Sequence, residues 1–159
     1  MDPKIKKQVL NLFQYGIYIC TSKSEGQISS SSITWVTQSS FHPPLLAMAV
    51  KVETGIYETI KSANQFALHV VPEDGKELAR RFFRPAHVED GRINGVPFEV
   101  DEEYDLPILL SAPAYLIGSV QEIIKMGDHH IFIAEVIDAV VKHSTEPILL
   151  RDTGWSYSG

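Results

Sequence analysis

AYLIGSVQEIIKMGDHHIFIAEVIDAVV, residues 114–141, is the stretch on which the reading of the fold turns. From Ala114 to Lys125 apolar and polar residues alternate; Met126-Gly127-Asp128 supplies turn chemistry; His129 to Val141 is again apolar and β-branched. Alternation with a period of two marks a strand with one buried face, and two such runs about a Gly-Asp turn predict a long antiparallel hairpin.

Upstream of the hairpin, other strands are legible. Tyr15 to Thr21 is β-branched and aromatic, and Ser24-Glu25-Gly26 reads as a turn. Gln27 to Ser40 carries six serines and two threonines around Ile28, Ile33, Trp35 and Val36. Its hydroxyls compete with helical hydrogen bonds and no apolar face repeats at 3.6, so an extended segment is predicted. Phe41-His42-Pro43-Pro44 ends that segment, and Leu45 to Val52 reads as a buried strand. Phe66 to Val71 reads as another strand.

Helices are short and locally signalled. Asp2-Pro3 starts one, with Ile5, Val9 and Leu12 at helical spacing and Gly16 closing it. Thr54 caps a second that runs to about Ala63. Glu73 to Arg84 is a third, acidic at its start and basic at its end, stopped by Pro85. Residues 86–107, with Gly91, Gly95, Pro97 and Pro107, read mostly as loop. About six strands and three short helices in a single domain, 1–159, make the fold mainly β. Antiparallel neighbours favour a barrel, because closure removes exposed strand edges.

Composition narrows the function classes. With 44% hydrophobic and 21% charged residues in 159 positions, the chain can bury a core without staples. A net charge of -6 argues against a nucleic-acid partner. No apolar run approaches the roughly 18 residues of a membrane span, and no signal peptide is evident, so a soluble cytoplasmic protein is expected. Cys20 is the single cysteine, which precludes an intramolecular disulfide and a cysteine-based zinc site. Of six histidines only His129 and His130 adjoin, and strand neighbours point to opposite faces, so no metal site is expected.

No phosphate loop, GxSxG elbow or HExxH is present. What remains is a hydroxyl-rich strand, a Pro-Pro bend, Lys51 and Thr54 at a helix start, and Gly-Asp-His in a turn. A helix start offers free N–H groups and partial positive charge to a phosphate, with Lys51 adding a full charge and Thr54 a hydroxyl. The same two residues also suit a plain cap beside a surface lysine. Asp128 and His129, likewise, suit a simple turn as well as a site.

These pieces, in order, resemble the flavin reductase-like family, whose fold is the FMN-binding split β-barrel with antiparallel, Greek-key-like strands. The resemblance runs through Gly16-Ile17-Tyr18-Ile19-Cys20-Thr21, the hydroxyl-rich and Pro-Pro stretch from Ser29 to Val50, and Phe66 to Val71. Its sharpest piece is Gly127-Asp128-His129-His130-Ile131-Phe132-Ile133-Ala134-Glu135-Val136. Thr34-Trp35-Val36-Thr37-Gln38 is most similar to the form found in flavodiiron-associated flavin reductase domains and flavoredoxin-like proteins.

The resemblance implies FMN as cofactor, NAD(P)H as co-substrate, a homodimer with flavin at its interface, and transfer of electrons to a flavin or another acceptor. It implies that residues 34–38 hold the isoalloxazine ring, and that Ser32, Ser39, Ser40, Lys51 and Thr54 lie along the ribityl chain and phosphate. His129 would stand near the flavin or the incoming nicotinamide. Two departures accompany it: Ile33-Thr34 replaces a common Ala-Asn pair, and Trp35 replaces a serine, which either narrows the nicotinamide face or fills core. Two other readings stay open: a flavoredoxin-like carrier reduced by a partner protein, and a non-catalytic split-barrel module that binds flavin or haem.

Overall fold

In the computed structural model, which describes residues 1–158, seven strands form one antiparallel sheet. In chain order the main strands are β1 (Tyr18–Ser24), β2 (Gln27–Ile33), β3 (Val36–Ser40), β4 (Leu45–Lys51) and β5 (Gln65–Val70). After four short strands, β6 (Val88–Glu89), β7 (Arg92–Ile93), β8 (Val96–Val100) and β9 (Pro107–Leu109), come β10 (Ala114–Ile124) and β11 (His129–Val141). The helices are α1 (Pro3–Leu10), α2 (Gly55–Ala63) and α3 (Lys76–Arg81), with a 3-10 turn at Leu150–Thr153.

The strand order, β2-β1-β5-β10-β11-β4-β3, places two consecutive strands at opposite margins. Only Thr34 and Trp35 separate β2 from β3, so the sheet must coil until its margins nearly meet. Hydrogen bonding does not close the gap: β2 pairs with β1 and β3 with β4. The mainly β, split-barrel architecture expected from the sequence is therefore present, as an open sheet wrapped round on itself. The single extended run expected over 27–40 is two strands that belong to different margins. Trp35 still joins the far side through its carbonyl, which accepts from the Ala49 amide at 2.9 Å.

The hairpin of residues 114–141 is β10 and β11, in register from Ala114 opposite Val141 to Ile124 opposite Ile131, with shifts at Ile117/Gly118 and Val120/Glu122. Helix α2 packs on β1 and β2 and fills the coiled sheet, where Ile56, Tyr57 and Ile60 join Met48, Phe66, Leu68 and Phe132 in one core. Thr54 caps it as expected, accepting from the Tyr57 amide. Asp2 does the same for α1, accepting from the Lys4 amide at 2.8 Å. Helix α1 ends at Leu10 and buries none of its residues.

Residues 86–107, expected as loop, instead hold most of a four-stranded antiparallel sheet, β6-β7-β8-β9. Its first two strands have two residues each, too short to display any period. The sheet is anchored by burial at Ile93 and at residues of the two later strands, while both residues of β6 are exposed. Ile93, Val96 and Leu109 share a second core with Ile17, Ile19 and Phe82.

His69 on β5 ties these layers together. Its Nδ1–H donates to the Ile19 carbonyl at 2.9 Å, and its Nε2 accepts from the Leu109 amide at 3.1 Å. Acceptance at Nε2 requires the neutral ring, and complete burial pushes its pKa from the ordinary 6.5 down to about 4. Between those values the unfolded chain takes up a proton that the folded chain refuses, so stability falls as pH falls from 6.5 toward 4. We expect this one group to account for about 3 kcal/mol of that loss. Urea midpoints of wild type and His69→Gln between pH 7 and 4 check it. The variant is less stable at pH 7 but loses less on acidification; parallel pH dependences would refute the assignment.

Candidate functional site

The seam between the sheet margins opens into a cavity of about 530 Å³. Ser31, Ser32 and Ile33 of β2 line one side, the Thr34–Trp35 link its floor, and Ala49, Val50 and Lys51 of β4 the other. Thr54 and Ile56 bring in the start of α2. His129 enters because the ladder places it directly opposite Lys51, and cross-strand partners share a face. Phe83, Leu150, Trp155, Ser156 and Tyr157 complete the outer wall.

One end suits an anion. Lys51 is exposed and forms no ion pair among the described residues. It sits before α2, whose first amides have no intrahelical partner. Thr54 Oγ1 donates to the Lys51 carbonyl at 2.8 Å, which fixes the lysine backbone against the helix start.

The other end is aromatic. The Trp35 ring lies 4.6 Å from that of His129 and 5.3 Å from that of Tyr157, centroid to centroid. Tyr15 adds a fourth ring, 6.4 Å from Trp35. His129 Nδ1 is 2.9 Å from Asp128 Oδ1, and His129 Nε2 is 2.7 Å from the Tyr157 hydroxyl. The hydrogen bond from His129 holds the Asp128 carboxyl below its ordinary range. An ionised Asp128 can only accept, so Nδ1 carries a proton, and in the neutral ring Nε2 then accepts from Tyr157. Partial removal from water, and the nearby Asp128 charge, raise the Tyr157 phenol, which keeps it a donor at neutral pH.

Two polar atoms near the seam lack protein partners: Trp35 Nε1 and Ser30 Oγ are shielded from solvent with none among the described residues. Cys20 is fully buried, and burial raises its thiol far above the usual range, which leaves it a small hydrophobe. The described residues contain no group of three or more His, Cys, Asp and Glu placed to hold a metal. No helix among them is long and apolar enough to cross a membrane.

Six of the residues expected from the sequence, Ser32, Thr34, Trp35, Lys51, Thr54 and His129, converge on this cavity. Ser32 is partly committed elsewhere, since its hydroxyl donates to the Ala79 carbonyl at 2.8 Å. Val36, Thr37, Gln38, Ser39 and Ser40 run along β3 away from the lining. Of these, Val36 packs against the main core and Thr37, Gln38 and Ser39 are exposed. Trp35 occupies neither of the two places considered for it exclusively: it is half-buried and walls the cavity. Phe83, Trp155 and Tyr157 were not singled out as site residues by sequence reasoning, because nothing local shows which strand the closing segment meets. Tyr15-Gly16-Ile17 receives it through the Leu150 amide to the Tyr15 carbonyl and the Ile17 amide to the Ile148 carbonyl.

Known proteins are similar to this chain in sequence and fold. A 30% identical relative, named an NADH-dependent FAD reductase, from Streptomyces globisporus, aligns over 87% of this chain and 78% of its own. A probable flavin reductase from Rhizobium meliloti is 32% identical over 85% of this chain, which spans only 42% of that protein's length. Among solved structures, the Streptomyces globisporus NADH:FAD oxidoreductase in complex with NAD and FAD fragments covers all of this chain and 96% of its own at a TM-score of 0.82, with 24% identity, a likeness of fold. The family model described as a flavin reductase like domain matches residues 10–156, nearly the full length, and the chain belongs to that family.

Proposed function

We propose that the chain, acting as one unit over 1–159, binds FMN in the seam cavity and transfers electrons from NAD(P)H through it to a flavin or another acceptor. The observation that carries this reading is the polarity of the cavity, with an anion-binding end at Lys51 and an aromatic end at Trp35 and His129. Its volume falls within the range of small-molecule sites. A single terminal phosphate suits the one anion-binding end, which supports FMN over FAD. With the Tyr57 amide taken by Thr54, the preceding amides at the start of α2, those of Gly55 and Ile56, are donors that a phosphate satisfies.

In this reading the bound flavin supplies the redox chemistry, as cofactors of this kind do. The chain supplies position. Lys51, Thr54 and the start of α2 hold the phosphate; Thr34 and Trp35 flank the ring system. His129, held at one ring nitrogen by Asp128 and at the other by Tyr157, presents its ring at the face where a second planar substrate stacks. Holding two rings in contact replaces a bimolecular encounter by a far more frequent intramolecular one.

Homodimerisation belongs to the same reading. Helix α1 exposes Ile5, Val9, Leu12 and Phe13 follow the same pattern, and β11 exposes Ile131, Ile137 and Val141, apolar surface that a second copy would cover. The exposed hydroxyls of β3, Thr37 and Ser39 with half-buried Ser40, are available to flavin from such an interface. A redox partner protein is a further acceptor, and the one buried thiol suits a reducing cytoplasm.

The test is a visible spectrum of FMN-loaded, desalted protein, recorded anaerobically before and after NADH or NADPH. A retained flavin spectrum that bleaches within the mixing time is expected. Flavin that is retained but stays oxidised would move the reading to reduction by a protein donor. Failure to retain any flavin would refute a resident cofactor.

A further inference from the structure

The segment that leaves the 3-10 turn is anchored at Thr153, Trp155 and Ser158. Thr153 Oγ1 donates to the Leu150 carbonyl at 2.6 Å and accepts from the Trp155 amide at 3.0 Å. Trp155 packs edge-on against Phe83 at 4.7 Å, and the Lys76 ammonium lies 5.3 Å from its ring centroid. Ser158 Oγ donates to Asn11 Oδ1 at 2.6 Å. Between these anchors Tyr157 is delivered to one spot, its ring beside Trp35 and its hydroxyl on His129 Nε2.

We propose that Tyr157 is a positioning residue for the electron-transfer reaction, holding His129 through its hydroxyl and walling the substrate face of the cavity with its ring. This rests on the flavin reductase reading above. The reasoning is geometric. Asp128 fixes only Nδ1 and leaves the ring free to tilt about that bond; a second bond at the opposite nitrogen removes the freedom. The His129 ring has no other hydrogen-bond partner among the described residues. The groups that face it are Asp128, Tyr157 and Trp35, with Lys51 opposite on β4. Losing the hydroxyl therefore frees the imidazole while keeping the ring wall; losing the whole side chain opens the wall as well.

Tyr157→Phe and Tyr157→Ala, made in the full chain, separate the two roles. For Tyr157→Phe we expect FMN affinity and nicotinamide KM within about twofold of wild type, and kcat lower by about tenfold. For Tyr157→Ala nicotinamide KM rises in addition. Nitrogen resonances of His129, read by long-range proton–nitrogen NMR, report the contact without any turnover. The Nε2 signal is expected to move in Tyr157→Phe while Nδ1 stays protonated. An unchanged kcat in Tyr157→Phe would overturn the proposal, as would an unmoved Nε2 signal. If wild type holds flavin but neither nicotinamide reduces it, the functional reading fails on its own, and the Nε2 signal still decides whether Tyr157 holds His129.

Discussion

Lys51→Ala is expected to weaken FMN binding by about tenfold to a hundredfold, the worth of one contact between an ammonium and a phosphate. Titration of FMN fluorescence measures it, with riboflavin as the internal control. Riboflavin carries the same ring system and ribityl chain without the phosphate, so its affinity should barely change. Equal weakening of both ligands would mean that Lys51 does not meet the phosphate. The fold should tolerate the change, because the side chain is exposed and makes no ion pair among the described residues. A surface substitution of this kind alters stability by about 0.5 kcal/mol or less. Lys51→Arg keeps the charge and should restore much of the affinity, though a planar guanidinium need not fit the same cradle.

Gly118→Ala should be the most damaging conservative change in the sheet. Gly118 of β10 lies opposite Phe66 of β5, at a point where the pairing with β11 shifts register. A methyl carbon there would stand 2.5 Å from Phe66 Cζ and 2.9 Å from both Cε atoms. Phe66 is fully buried, so the ring cannot swing into solvent to make room. Overpacking of this kind costs about 1–3 kcal/mol, and near the top of that range when the obstructed group is a rigid ring. Thermal or urea unfolding measures the loss. Combining Gly118→Ala with Phe66→Leu should recover part of it, since the two sites share one volume. A stability equal to wild type in the single variant would show that the strand moves aside at no cost.

How much of this was legible beforehand depended on the range of the forces involved. The 114–141 hairpin, the Thr54 cap and the Leu45–Lys51 strand were readable because alternation, turn residues and caps are local. Lys51, Thr54 and His129 were readable as candidates because each sits at an element boundary with a recognisable neighbour. The break at Thr34–Trp35 was not, because β2 and β3 are equally rich in hydroxyls and only the coiling of the sheet assigns them to different margins. Val88–Glu89 and Arg92–Ile93 were missed since two residues cannot show a period. Tyr157 escaped for a third reason: its meaning rests on contacts with His129 and Trp35, far away along the chain.

The two-residue link between the sheet margins has a mechanical consequence. A molecule lodged in the cavity touches β2 on one bank and β4 on the other, with Trp35 beneath it. It thus acts as a clasp across the one line where the wrapped sheet has no ladder of its own. Spreading that line would cost the ligand its grip on both banks together. Occupancy and the tightness of the wrap are then coupled, so the loaded protein is stiffer along its seam than the empty one.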